Sequence, residues 1–274
     1  MNWIGYTTAQ FRLSQRVYWK RIGIALSGTL VPLGLGMFMP LGFARAGQID
    51  GAPAGLYALT GFLAFALFFT VYTLVNAVTA RRDALIYKRL RTSPLPDTSI
   101  FVGEGAAAAL PSLAVAAVLV GFGVLVLHSG APHNIPLLIL GLLLGSAMFT
   151  MLAIGFSGML PSAETSMWLV TPVMVLFMLG SGIYAPLSEL PGPLGEIAAY
   201  LPMSPVVSIL RTAYLGRDYA SHDALLGLVS PGGPLDFLGG FRAALGAVCI
   251  MLAWTAIGFA LARKLFRWDP QRTA

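Results

Sequence analysis

Hydrophobic positions in this chain do not alternate with polar ones; they run on. Six stretches, roughly 22–44, 56–80, 99–127, 136–160, 166–186 and 240–262, stay apolar for about 20 residues or more. That is the length a helix rising about 1.5 Å per residue needs to cross about 30 Å of hydrocarbon. A further apolar segment, 187–210, is broken by prolines at 191, 193, 202 and 205. It predicts short helices that enter a membrane without crossing it, a path tolerated where protein or water satisfies the backbone. The pattern therefore predicts an all-α integral membrane protein with six transmembrane helices and both termini on one side.

The polar intervals add orientation. Arg12, Arg16, Lys20 and Arg21 precede the first span, Arg81, Arg82, Lys88, Arg89 and Arg91 separate the second from the third, and Arg263, Lys264, Arg267 and Arg272 follow the last. Thirteen of the 17 basic residues thus fall on the side of the termini, against Arg45, Arg211, Arg217 and Arg242 on the other. By the positive-inside rule the termini and the 81–96 loop are cytoplasmic. Within residues 1–21, Arg12, Arg16 and Lys20 form one basic stripe, with Trp3, Ile4, Phe11, Val17 and Tyr18 away from it. This predicts an N-terminal interfacial amphipathic helix ahead of a single transmembrane domain, 22–274.

Composition agrees: 57% of residues are hydrophobic, 10% are charged and mean hydropathy is +0.79, where soluble domains carry about 25% charged residues. The basic residues are parcelled into short intervals, so the chain lacks the continuous charged surface that nucleic-acid binding needs. Cys249 is the single cysteine; it sits in an apolar run and is expected to be a buried thiol. The three lysines, Lys20, Lys88 and Lys264, follow Trp, Tyr and Arg, so no phosphate-binding G-x-x-x-x-G-K-[ST] loop exists. No metal site is expected from His128, His133 and His222, and the chain itself is not expected to be an enzyme.

The interval 81–96, RRDALIYKRLRTSPLP, ends in two prolines. Arg81 to Arg91 predicts three helical turns with Leu85, Ile86 and Leu90 available to a partner, stopped by Pro94 and Pro96. Its ending, Arg89-Leu90-Arg91-Thr92-Ser93-Pro94-Leu95-Pro96, resembles the R-L-R-T-[ST]-P-L-P of ABC-2 type permease subunits of ATP-binding-cassette exporters. Downstream, LPMSPVVSILRTAYLG (201–216) is similar to that family's N-P-L-x-x-x-V-x-x-x-R-x-x-x-L-G segment, with Leu201 where Asn is usual. The resemblance implies that 81–96 is a coupling helix seated in a separate ATPase subunit, present in two copies and carrying ATP and Mg. It implies that 187–210 forms outer re-entrant helices, and that a second permease copy completes the transporter as a homodimer, or a similar permease as a heterodimer. Glu104, five residues into the third span, is expected to pair with Arg81, Arg82 or an arginine of the N-terminal helix. Gly141-x-x-x-Gly145 is expected to let helices approach closely.

Two stripes are candidates for a cargo path. On the second span Phe62, Phe65, Phe69, Tyr72 and Asn76 recur in steps of three and four; on the fifth, Met167, Thr171, Met174, Met178 and Ser181 do the same. Aromatic rings and flexible thioethers suit bulky amphipathic molecules, and the resemblance implies that both spans face the centre of a permease dimer. The expected function is outward transport of hydrophobic or amphipathic molecules such as drugs and secondary metabolites, as in daunorubicin-type exporters, from a multi-pass plasma-membrane complex in contact with lipid. Lipid or glycolipid cargo is the alternative, and a proton-coupled secondary transporter the alternative of another class.

Overall fold

The computed structural model describes residues 2–20, 22–91, 96–191, 193–228 and 231–266. Arg21, Thr92 to Leu95, Arg267 and Arg272 lie outside them, as do the side chains of Ile24, Arg91 and Met167. Helices α1 (Trp3–Lys20), α2 (Ile22–Phe43), α3 (Ala54–Asp83), α4 (Ile86–Arg91), α5 (Asp97–Leu125), α6 (Ile135–Ser157) and α7 (Ala163–Leu179) come first. A 3-10 turn (Leu187–Glu189), α8 (Leu194–Ala199), α9 (Met203–Leu215), α10 (His222–Leu225) and α11 (Phe237–Leu265) follow. A two-stranded hairpin, Gln48–Ile49 with Ala52–Pro53, joins α2 to α3 through Asp50 and Gly51. Both turn residues have positive φ, as a two-residue hairpin requires.

Among the described residues five helices, α2, α3, α5, α6 and α11, are long and apolar enough to cross a membrane. The stretch expected as the fifth span, 166–186, forms the 17-residue α7. It stops where Gly180-Ser181-Gly182 turns the chain, with Gly182 at φ +74°. Starts are set locally. Asn134, Ser162 and Asp236 accept the backbone N–H of Leu137, Thr165 and Gly239 and so cap α6, α7 and α11.

Helix α3 is the axis of the molecule. Its most apolar stretch is 94% buried, against 22% for those of α2 and α11, because α2, α5, α6, α7 and α9 surround it. Thirty residues make it about 45 Å long, so both ends extend past a hydrocarbon core of about 30 Å. The opposite case is α11, which packs one face on α6 and α9 and leaves Leu245, Leu252 and Phe259 exposed. Cys249 is exposed there too, contrary to the buried thiol expected, since an apolar run in a membrane helix needs only one packed face.

The fully buried side of α9 rests on α6 at Gly141 and Gly145. A Cβ at Gly141 would lie 2.8 Å from Ile209 Cγ2, and one at Gly145 3.1 Å from Val206 Cγ1. The small-residue pair therefore seats α9, as the spacing predicts.

Candidate functional site at the C-terminal end of the central helix

The last three residues of α3, Arg81-Arg82-Asp83, reach three different neighbours. Arg81 Nη1 donates to Glu104 Oε1 of α5 at 2.5 Å and to Ser14 Oγ of α1 at 3.1 Å. Gln10 of α1 donates its Nε2 to the same carboxylate oxygen at 3.0 Å, and the Tyr87 hydroxyl of α4 donates to Oε2. One buried carboxylate thus gathers α1, α3, α4 and α5. Burial, and next the Glu104 charge, push the Tyr87 phenol well above its usual range, so it stays a neutral donor. A charge this deep needs both a counter-ion and filled hydrogen-bond positions; Glu104 has both, and its expected ion pair is the one with Arg81.

Arg82 turns the other way. Its Nη1 donates to Ser157 O at 3.1 Å, and its Nη2 to Leu160 O and Pro161 O at 2.5 and 3.2 Å. These carbonyls belong to the end of α6 and the turn after it, where a helix leaves acceptors unfilled and carries partial negative charge. Asp83 Oδ2 accepts the N–H of Ala163, the first residue of α7, at 2.8 Å, the complementary placement of an anion at a helix start. Just beyond, the chain breaks: Leu85 takes φ +57°, a left-handed conformation costing a non-glycine residue about 1–2 kcal/mol. The continuous helix expected over 81–91 is therefore two pieces, with α4 beginning at Ile86. Leu85 and Ile86 are exposed at the joint, Leu90 is half-buried and Lys88 and Arg89 face outward.

At the far end of α3, about 36 Å away by helical rise, one arginine of α9 does a similar job. Buried Arg211 donates to Thr60 Oγ1 at 3.2 Å, to Tyr57 O at 3.2 Å and to Gly182 O, past the end of α7, at 2.9 Å. Its guanidinium lies 3.4 Å from the centre of the Tyr57 ring. Beside it the Tyr219 hydroxyl donates to Asp50 O at 3.0 Å. Burial, and secondarily the Asp50 carboxylate, raise that phenol to about 12. No carboxylate forms an ion pair with Arg211 among the described residues.

The sequence model of the ABC-2 type transporter family matches residues 8–215, a span that includes both ends of α3 and Arg211. The chain belongs to the ABC-2 type transporter family. It is a multi-pass membrane permease of that family, and it is similar to nodulation protein J of Rhizobium leguminosarum bv. viciae, 25% identical over 237 residues, 81% of this chain and 85% of that protein.

In this ABC-2 permease the residues singled out by sequence separate into groups. Lys88, Arg89, Leu85 and Ile86 lie on the exposed α4 element, whereas Arg81 and Arg82 are engaged inside the chain. The α3 stripe is continuous: Phe62, Phe65, Phe69 and Tyr72 contact one another ring to ring in sequence. Phe62 also meets Tyr184, and Asn76 accepts from Ser166 Oγ of α7 at 2.7 Å. The same steps of three and four continue to Thr79, 3.2 Å from Ser166 Oγ, and to Asp83 at the α7 start. This stripe is the seat of α7. Met174 is buried, Ser181 is buried and donates to Met178 O, Met178 is half-buried and meets the Tyr184 hydroxyl, and Thr171 is exposed. The roles of Asp83 and Arg211 escape a reading by charge alone; the run of the α3 stripe into Asp83 was the available signal for the first.

Proposed function

We propose that this permease is the membrane subunit of an ABC exporter, docking a separate ATPase on the α4 element and passing its motion to α7 through Arg81-Arg82-Asp83. The observation that carries the reading is the exposed Leu85 held in a left-handed conformation at the α3–α4 joint. Glycine would relieve that cost, so the leucine side chain serves a contact outside the chain. Lys88 and Arg89 beside it supply charge for an acidic cleft. A push on α4 moves Tyr87 and the Glu104 carboxylate; Arg82 and Asp83 carry the displacement of the α3 end to the α6–α7 turn and the first residue of α7.

Helix α7 packs chiefly on α3 and leaves Trp168, Leu176 and Leu179 exposed. That apolar face, with Thr171 on it, supports a path between α7 and a second permease copy for hydrophobic or amphipathic cargo of the drug and secondary-metabolite kind. Phe65, Phe69 and Met174 are packed within the chain and shape the path from behind, with Tyr72, Asn76, Met178 and Ser181 supporting α7 along its length. The seat of α9 at Gly145, about 15 Å along α6, supports an outer segment that re-enters the membrane over 187–210. The basic intervals support cytoplasmic termini, with α1 at the interface: its Gln10 and Ser14 are buried while Trp3, Ile4 and Trp19 are exposed.

The test is co-purification from detergent with the partner ATPase, comparing wild type with Arg89→Glu/Arg91→Glu. Loss of the ATPase from a variant that still inserts supports the docking role. Equal retention by both contradicts it.

A further inference from the structure

Beside the Glu104 cluster, α1, α3, α4 and α5 line a partly open cavity of about 180 Å³. Its wall changes character in one direction. Arg81 and Glu104 stand at one end; one to two turns further along α3 and α5 the lining is Leu74, Ala77, Ala107 and Ala108. Leu13 and Val17 of α1 and Ile86 and Leu90 of α4 close the sides. Thr73, at the apolar end, donates its hydroxyl to Phe69 O and Thr70 O of its own helix, and so presents no polar demand. A cavity of about 150 Å³ holds a six-carbon ring, so this one accepts the end of a hydrocarbon chain.

The charge that a visitor meets is positive. The Glu104 side chain is 1% exposed, whereas that of Arg81 is 14% exposed. Arg81 spends Nη1 on both Ser14 and Glu104, and its partly exposed side chain lines the cavity. Arg12, Arg16 and Lys20 are exposed on the same α1 helix, and such basic clusters near a membrane surface draw anionic headgroups.

We propose that this cavity binds one anionic phospholipid, its phosphate at Arg81 and its chain directed toward Leu74 and Ala77. The leaflet, cytoplasmic, rests on the orientation proposed above. A lipid there wedges α1 against α3 and α5 and holds the Glu104 cluster assembled.

The experiment is native mass spectrometry of the delipidated permease, given phosphatidylglycerol or phosphatidylcholine with identical chains. Wild type is expected to retain one phosphatidylglycerol per chain and at least tenfold less phosphatidylcholine. Ala77→Trp and Ala108→Phe fill the cavity from two different helices, and each is expected to lower phosphatidylglycerol retention at least tenfold. Equal retention of the two lipids by wild type, a comparison that needs no variant, overturns the proposal; so does undiminished retention by the filled variants. No ATPase takes part, so a failure here and a failure of the docking test are read separately.

Discussion

The two ends of α3 are each held by arginine on backbone carbonyls, Arg211 at one end and Arg82 at the other, but only the C-terminal end adds an ion pair, that of Arg81 with Glu104. At the N-terminal end Arg211 meets two backbone carbonyls, a threonine hydroxyl and an aromatic ring. At the C-terminal end Arg81 meets a carboxylate that two further side chains share. A backbone carbonyl moves only when its helix or turn moves, so the Arg211 clamp fixes α3, α9 and the chain beyond α7 as one unit. Side chains shift partners by rotamer changes, so the Arg81–Glu104 cluster allows α1, α4 and α5 to adjust while staying connected. On the proposed coupling route the fixed end would serve as the fulcrum, and the adjustable end adjoins the exposed α4.

The contrast makes removal of Glu104 the most damaging change. Glu104→Ala leaves the Arg81 charge buried without its counter-ion, a loss of about 3–5 kcal/mol for a buried pair broken on one side. The expected result is a marked fall in thermal unfolding temperature in detergent, largely restored by Arg81→Met/Glu104→Ala, which removes both charges. Arg211→Leu should cost less, because it strands no opposite charge. Gly182 O loses its donor, at about 1–3 kcal/mol for a buried group left unsatisfied, while Tyr57 O keeps the Thr60 hydroxyl. The same unfolding assay checks this, and a larger loss than for Glu104→Ala would reverse the assignment of which end depends on charge. The smallest change has two signs. Leu85→Gly removes the left-handed penalty and is expected to raise stability by up to about 1 kcal/mol, while weakening retention of the ATPase in the co-purification assay.

Much of this architecture is legible in sequence, because length and apolarity set where helices can lie. The α3, α5, α6 and α11 segments follow directly from their apolar runs, and Gly141 and Gly145 announce a close contact whose partner turns out to be α9. Where reading fails, the cause is that charge was read as position. Five basic residues in one interval signal topology, but Arg81 and Arg82 point back into the fold, and only a three-dimensional neighbour list reveals Ser157, Leu160 and Glu104 as their targets. The stripe was equally visible, yet periodicity does not say what covers it; here Tyr184, in the chain following α7, meets Phe62, and Ser166 of α7 meets Asn76. Arg211 is part of a recognisable motif, but its acceptors are carbonyls, and every residue has one of those.

The central claim is that Asp83 links the end of α3 to α7. It is tested most directly by measuring cargo moved per ATP hydrolysed by the reconstituted transporter, for wild type and Asp83→Ala. Expected are ATP hydrolysis within about twofold of wild type and a fall of at least tenfold in cargo moved per ATP, since α4 still docks but α7 no longer follows. An unchanged ratio, or a parallel loss of hydrolysis and transport, would contradict it.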